Sequence, residues 1–262
     1  MKNKQYIIGA IAGDIIGSVY EWNNIKTLDF DLFCSKSHFT DDSVLTLATM
    51  EALINQTDYA QAYWNFGRKY PNKGYGSRFI TWLYSKNPKP YNSWGNGSAM
   101  RVSPIAWAFD NLEDVLYESK KSAESTHNHP EGVKGAQATA TAVYLARKGK
   151  SKEEIKRFIT EQFSYNLDRT IQDIRPTYKF DVSCQGSVPP AIVAFLESSD
   201  FENAVRLAIS IGGDSDTIAC ITGGIAEAFY QTMPDSIIEN VLNLLPQELI
   251  SIIDKFSQYV MK

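Results

Sequence analysis

The sequence contains few of the residues on which disulfide and soft-metal chemistry depends. It has three cysteines and three histidines in 262 residues. Cys34, Cys184 and Cys220 are scattered and form no Cys-x-x-Cys pair, which argues against a disulfide framework and against a zinc site. Scattered cysteines are typical of a reducing compartment. We therefore expect a cytoplasmic protein in which these cysteines serve for packing.

Long runs of one residue class are also missing. The 26 lysine and arginine residues are outnumbered by 30 acidic residues. Because no basic run is present, the sequence shows no electrostatic footprint for a nucleic acid or for an anionic membrane surface. No stretch approaches the roughly 18 apolar residues of a membrane span. We expect a soluble monomer.

The apolar segment at residues 6–12 has the superficial form of a signal peptide, since Lys2 and Lys4 precede it. Its apolar core is at the short limit for such a peptide, and Asp14 follows at once. The apolar pattern continues beyond Asp14. We therefore interpret the segment as part of a buried helix.

Strand signals are sparse. The sequence has no alternating apolar and polar run bounded by turns, and no internal repeat. Apolar residues at helical spacing predict one all-α domain over residues 1–262, with about a dozen helices. One helix is expected to begin at Thr40 or Asp41. The other predicted helices cover residues 5–22, 58–69, 77–85, 98–109, 112–125, 129–148, 151–164, 187–197, 200–210, 215–231 and 246–260.

Two short acidic runs, Thr40-Asp41-Asp42 and Asp214-Ser215-Asp216-Thr217, are the most informative feature of the chain. Each opens an apolar, helix-forming stretch. Clustered carboxylates repel each other, so they need a cation between them or protons on them. Oxygen ligands without cysteine or histidine suit Mg²⁺, Mn²⁺ or Ca²⁺. Together the runs predict one oxygen-lined metal centre with one or two ions.

Helix capping is the alternative interpretation, because aspartate and threonine are favoured at helix N-termini. Capping explains either run alone. However, a cap needs one side chain rather than three, and Gly212-Gly213 before the second run allows a sharp turn or a close approach to a ligand. We therefore favour the metal centre.

Two glycine-containing ridges suggest how the runs meet. Gly9, Gly13 and Gly17 are spaced by four residues, and a second set of small residues follows Asp216. Close packing of these ridges would bring Asp14 or Glu21 near the second acidic run. By helical spacing, Asp14 and Glu21 share one face of the helix predicted over residues 5–22.

The segment Gly95-Asn96-Gly97-Ser98 opens a predicted helix that continues through Arg101. Glycines at a helix start expose N–H groups that, with the helix dipole, bind anions such as a diphosphate. The alternative is a turn with a serine cap. Arg101 is expected either to contact a ligand or to hold an internal carboxylate.

Two of the three histidines lie in the segment Thr126-His127-Asn128-His129-Pro130. No third soft ligand accompanies them, which argues against a transition-metal site. We interpret His127 as a substrate contact. His129 precedes a proline at a helix boundary, so we expect a structural role for it.

The ordered set of motifs resembles the ADP-ribosylglycohydrolase family over residues 5–232. The motifs are Gly13-Asp14-x-x-Gly17-Ser18-x-Tyr20-Glu21, Thr40-Asp41-Asp42, Gly74-Tyr75-Gly76, Gly95-Asn96-Gly97-Ser98-Ala99-Met100-Arg101, Thr126-His127, Ser187-Val188-Pro189 and Gly212-Gly213-Asp214-Ser215-Asp216-Thr217. Each motif alone is weak. Their order and spacing over more than 200 residues are specific.

The resemblance implies an orthogonal all-α bundle with two Mg²⁺ or Mn²⁺ ions, and hydrolysis of the C1″ bond of ADP-ribose. The implied substrate is an ADP-ribosylated protein or a small ADP-ribose derivative. Metal ligation is implied for Thr40, Asp41, Asp42, Asp214, Asp216 and Thr217, and catalytic roles for Glu21, Asp41 and Asp216. Substrate contact is implied for Ser93, Trp94, Gly95, Asn96, Gly97, Ser98 and His127. Trp94 is expected to lie against ADP-ribose.

Three questions stay open at this point. The acceptor atom is undetermined, although Gly74-Tyr75-Gly76 and Ser187-Val188-Pro189 resemble the serine-type branch more than the arginine-type branch. One alternative function is a non-catalytic ADP-ribose-binding or crystallin-like structural protein. Another is a metal-dependent nucleotide phosphoesterase.

Overall fold

A computed structural model describes residues 6–261. Within this range the chain forms fourteen α-helices and no β-strand, which confirms the all-α prediction. Lys2, Lys4 and the first residue of the helix predicted over residues 5–22 lie outside the described residues. The helices are α1 Gly9–Gly17, α2 Asp41–Asn55, α3 Tyr59–Lys69, α4 Ser77–Leu83, α5 Ser103–Ala108, α6 Leu112–Glu124, α7 Pro130–Arg147, α8 Lys152–Phe163, α9 Ile171–Ile174, α10 Cys184–Glu197, α11 Phe201–Ser210, α12 Ser215–Tyr230, α13 Asp235–Leu244 and α14 Gln247–Val260.

The packing of α1 against α12 is the centre of the fold. Both helices are buried along almost their whole length. Glycines make the contact possible, because a Cβ on Gly13 would overlap the Ala219 carbonyl group, and one on Gly17 would lie 2.5 Å from the Asp216 Cα atom. The two predicted ridges therefore meet. Their contact joins residues that are about 200 positions apart in the chain.

The remaining helices surround this pair. Helix α12 also contacts α7, α10 and α11, while α2 packs on α1, α3, α5 and α14. The acidic ends of α2 and α12 therefore lie on the same side of the core. Among the described residues, no helix combines the length and the apolar character that a membrane crossing requires.

Helix α1 is shorter than the predicted helix 5–22, because it ends at Gly17. Glu21 lies in the turns that follow rather than on α1. The prediction that Asp14 and Glu21 share a helix face is therefore wrong in its reasoning. Glu21 still approaches the second acidic run, because the chain turns after α1.

The helix predicted over residues 98–109 is also wrong at its start. Asn96–Ser98 forms a single 3₁₀ turn, and α5 begins only at Ser103. Pro104 lies in the first turn of α5, where its missing N–H has no helical partner to lose. The segment Gly95–Ser98 therefore does not form the N-terminus of an α-helix, and its binding of an anion stays a prediction.

Two short helices escaped prediction. Helix α9 lies within a stretch that the sequence marks as irregular, and α13 lies between Pro234 and Pro246. In α13 only Ile237 and Val241 are buried. Two inward positions are too few to give a clear helical period.

Candidate metal centre and substrate pocket

The N-terminus of α2 is fixed by a buried carboxylate from α1. Thr40 caps α2, and its hydroxyl donates to Asp14 Oδ1 at 2.6 Å. Asp14 Oδ2 accepts from the backbone N–H of Thr40 at 2.9 Å and of Ser43 at 3.1 Å, and from the Ser43 hydroxyl. Asp14 therefore ties α1 to the start of α2, and this contact sets the position of Asp41 and Asp42.

The second acidic run follows a turn of two glycines. Gly212 and Gly213 have φ angles of +73° and +75°, which side chains with a Cβ rarely adopt. Asn24 holds Gly213 on both sides: Oδ1 accepts from the Gly213 N–H at 2.8 Å, and Nδ2 donates to the Gly213 carbonyl at 2.9 Å. Lys26 donates to the Ile211 carbonyl. The turn that precedes Asp214 is thus fixed by the segment after Glu21.

Five carboxylates meet at the α2 and α12 N-termini. One group consists of Asp14, Asp42 and Asp216, all buried. The other consists of Glu21, Asp214 and Asp216. In each group, one oxygen of every member lies within 4.8 Å of the others. Asp216 belongs to both groups, so they form one continuous acidic centre.

Burial raises the pKa of each aspartate in this centre. For Asp42 and Asp216 the pKa is raised well above its usual value, by burial first and then by neighbouring aspartates. Asp41 lines the pocket and shows the same direction of pKa change for the same reasons. The pKa of Glu21 rises to about 7 because of burial and the charges of Asp214 and Asp14. The cluster is therefore unfavourable in its fully charged form without a cation.

The donor set fits hard divalent cations. Asp42 Oδ1 is buried and has no hydrogen-bond partner among the described residues. Its Oδ2 accepts from Thr217 Oγ1 at 3.3 Å, and Thr40 Oγ1 also lies 3.3 Å from it. A buried carboxylate oxygen without a donor is costly unless a cation binds it. All ligand atoms here are oxygens, which match Mg²⁺ or Mn²⁺.

A pocket of about 470 Å³ opens onto this centre. Its walls include Glu21, Asp41, Asp42, Asp214, Asp216, Thr217, Ser93, Gly95, Asn96, Gly97 and His127. The loop of residues 93–97 is held in place by residues 182–184. The Asn96 N–H donates to the Val182 carbonyl at 2.7 Å, and the Cys184 N–H donates to the Trp94 carbonyl at 2.9 Å.

Asn96 orients an aspartate of the acidic centre. Its Nδ2 donates to Asp214 Oδ2 at 2.6 Å and to Ser187 Oγ at 2.9 Å. The amide donors therefore face the protein, and the side chain acts on Asp214. Sequence reasoning assigned Asn96 to substrate binding and assigned no site role to Ser187.

His127 is part of the pocket wall. It is buried, and Thr126 Oγ1 is 2.7 Å from its Nδ1. The ring of Tyr91 lies 5.8 Å from the His127 ring, centroid to centroid. Burial, together with Arg101 and Arg78, holds the pKa of His127 well below its usual value. This direction of the pKa favours the neutral imidazole.

Arg101 lines the pocket from a buried position, and its Nε and Nη1 have no hydrogen-bond partner among the described residues. It is fully buried, and its guanidinium lies 4.0 Å from the centroid of the Tyr63 ring. Its Nη2 donates to the Ser122 carbonyl and to Thr126 Oγ1, both at 2.9 Å. The expectation that Arg101 holds an internal carboxylate is wrong, since it binds a carbonyl and hydroxyl groups.

The structure places two predicted substrate residues away from the pocket walls. The Trp94 ring packs edge-on against His129, with centroids 5.4 Å apart, and does not line the pocket. Ser98 is buried and donates to the Gly132 carbonyl at 2.7 Å. Their side chains therefore connect the loop to residues 129–132 at the start of α7. His129 caps α7, which agrees with the structural role expected for it at a helix boundary.

The sequence analysis did not assign several residues of the acidic centre and of the pocket wall to the site. Asp14 was recognised as an acid near the centre but not assigned to it, and Tyr91 and Arg78 were not singled out as site residues. The aromatic and glycine-rich character of residues 71–98 was the available signal, because such loops often bind ligands. No local pattern indicated which of its aromatic rings faces the pocket.

Comparison with known proteins agrees with the site geometry. A profile of the ADP-ribosylglycohydrolase family matches residues 2–261. The chain is 28% identical to ADP-ribosylhydrolase ARH3 of Mus musculus, with 88% of this chain and 84% of the relative covered. It is 24% identical to ADP-ribosylarginine hydrolase Tri1 of Pseudomonas putida, with 94% and 77% covered. A solved structure titled "ADP-ribosylglycohydrolase-related protein complex" superposes over 100% of both chains, with a TM-score of 0.72 at 21% identity.

Proposed function

The chain belongs to the ADP-ribosylglycohydrolase family, and from this premise we propose that it is a metal-dependent hydrolase of the C1″ bond between ADP-ribose and an acceptor. Its relatives named as ADP-ribosylhydrolases support the reaction class. The single observation that carries the proposal is the acidic centre that lines the pocket. It consists of two clusters of three acidic side chains, and Asp216 belongs to both clusters.

Two Mg²⁺ or Mn²⁺ ions would be held by Thr40, Asp41, Asp42, Asp214, Asp216 and Thr217, with Glu21 beside Asp214. When bound, such ions supply positive charge that polarises a ribose hydroxyl or a water molecule. Asp14 would hold these ligands in position rather than bind an ion itself, because both of its oxygens already accept hydrogen bonds. A bound cation would supply the partner that the buried Oδ1 of Asp42 lacks.

The rest of the pocket would bind ADP-ribose. The rings of Tyr91 and His127 offer apolar faces for the adenine base. Arg78 lines the same pocket and supplies positive charge for the diphosphate. The absence of side chains at Gly95 and Gly97 allows the His127 ring to lie close to the loop backbone, because a Cβ on Gly97 would lie 3.2 Å from His127 Nε2.

Glu21 would accept a proton from the attacking water, as a positioned general base. The bond from C1″ to the acceptor atom breaks as the bond from C1″ to the water oxygen forms. The proton taken by Glu21 then passes to the departing acceptor. The products are ADP-ribose and the unmodified acceptor, and one water molecule is consumed.

Release of ADP-ribose from an ADP-ribosylated peptide, measured by chromatography with and without Mg²⁺, tests the proposal. We expect full dependence on Mg²⁺ or Mn²⁺ and loss of turnover in Asp42→Asn and Asp216→Asn. The control is Asp29→Asn, which removes an exposed carboxylate outside the pocket and should remain active. Activity that survives complete chelation would refute the metal requirement.

The same assay separates the alternative functions. Release of inorganic phosphate instead of ADP-ribose would indicate a nucleotide phosphoesterase. Binding of ADP-ribose without release from any acceptor, at saturating Mg²⁺, would indicate a non-catalytic binding or structural protein.

A further inference from the structure

Two aromatic rings form an exposed pair at the rim of the pocket. The rings of Trp22 and Phe180 stack with centroids 5.1 Å apart and an interplanar angle of 21°. Their side chains remain 76% and 43% exposed, and the neighbouring Val182 is 54% exposed. All three line the pocket. An exposed aromatic group beside a binding pocket is typical of a surface that another molecule covers.

The pair is connected directly to the acidic centre. Trp22 directly follows Glu21 in the chain, and both residues line the pocket. Glu21 in turn lies within 4.8 Å of Asp214 and Asp216. The aromatic pair therefore forms the part of the pocket rim next to Glu21. An acceptor chain that leaves the pocket on the Glu21 side would pass Trp22 and Phe180.

The charges around the pair favour a cationic side chain. Asp41 and the five acids of the centre make six carboxylates, which carry more negative charge than two divalent ions would neutralise. Lys179 and Asp181 flank Phe180 in sequence and offset each other. Lys26 donates hydrogen bonds to the carbonyls of Ile211 and Tyr178. A lysine or arginine side chain over an aromatic face is attracted by the ring itself.

We propose that Trp22 and Phe180 form the docking platform for the acceptor polypeptide, and that the platform receives a lysine or arginine side chain next to the modified residue. This inference rests on the proposed function, because it assigns the acceptor side of the same reaction. The platform contributes affinity for the acceptor, whereas the pocket binds ADP-ribose.

Three substrates test the platform: an ADP-ribosylated peptide with a lysine beside the modified residue, the same peptide with glutamine there, and ADP-ribose linked to a small acceptor. Phe180→Leu keeps apolar volume and removes the ring. We expect it to raise KM about two- to fivefold for the lysine peptide, the scale of a cation over an exposed ring. The KM of the glutamine peptide and of the small-acceptor substrate should change less, so the ratio of KM between the glutamine and lysine peptides is the quantity compared.

Two further variants sharpen the result. Phe180→Tyr keeps the ring and should restore the wild-type KM. Tyr117→Leu removes an exposed aromatic ring outside the pocket and should have no effect on any substrate. An unchanged KM in Phe180→Leu, or the same rise for the lysine and glutamine peptides, would overturn the inference. A wild-type protein that releases ADP-ribose from none of the three would instead refute the proposed function.

Discussion

Asn24 lies outside the pocket walls, yet its removal should impair the acidic centre. Its side chain satisfies both backbone polar groups of Gly213, and Nδ2 also donates to the carbonyls of Tyr20 and Glu21, each at 2.8 Å. One amide thus connects the Glu21 segment to the turn before Asp214. Because both segments carry acidic residues of the centre, we treat Asn24 as a positioning residue.

The magnitude follows from the groups left behind. In Asn24→Ala the N–H of the buried Gly213 loses its partner, and the Gly213 carbonyl keeps only the 3.3 Å hydrogen bond from Ser215 Oγ. An unsatisfied buried group costs about 1–3 kcal/mol. Water reaches part of this site, since Asn24 itself is exposed. We expect a decrease of about 1–3 kcal/mol in the free energy of unfolding. Loss of outer-shell support typically lowers metal affinity or activity by about 10–100-fold.

The assay compares Asn24→Ala with Asn23→Ala. Asn23 is the adjacent exposed asparagine, and its Nδ2 makes one long hydrogen bond of 3.4 Å to the Val19 carbonyl. Mn²⁺ titration and kcat are measured at a temperature where both variants are folded. We expect weaker Mn²⁺ binding and a lower kcat only in Asn24→Ala. Wild-type Mn²⁺ affinity and kcat in a destabilised Asn24→Ala protein would show that the residue serves stability alone.

Two predictions concern the α1–α12 contact. Gly13→Ala should lower the free energy of unfolding by about 1–3 kcal/mol, because its Cβ overlaps the Ala219 carbonyl group, whereas Gly76→Ala meets no atom within 4 Å and should be neutral in urea denaturation. Burial raises the pKa of Glu227 to about 7, so its bound proton stabilises the fold fully below about pH 4, and this contribution is lost as the pH rises to about 7. The unfolding free energy of Glu227→Gln relative to wild type should therefore rise from about pH 5 to about pH 8; a constant difference would contradict this.

Local signals in the sequence were sufficient for most of the helices and for the acidic residues. Thr40 and Ser151 cap helices as their sequence context predicts, because a cap depends on residues within one turn. The position of Asp42 and Asp216 at two helix starts could be predicted for the same reason. Their ligand roles stay a prediction.

Long-range contacts decided the parts that could not be predicted. Trp94 and Ser98 turn away from the pocket because the loop pairs with residues 182–184, almost 90 positions later in the chain. Glu21 reaches Asp214 through a turn after α1 and not through helical spacing. No local period contains such information. A pattern can name the chemical residues, but the direction of each side chain depends on distant segments.

The contact between α1 and α12 has a consequence for how the protein is made. Asp42 is synthesised more than 170 residues before Asp216, and at roughly 5–20 residues per second this interval is roughly ten to thirty seconds. During that time the nascent chain carries three of the five acids of the centre, and the glycine-lined helix α1 lacks α12, its main packing partner. Catalysis can begin only when α12 has left the ribosome and docked. Enzymatic activity in a growing chain would therefore report the completion of nearly the whole fold.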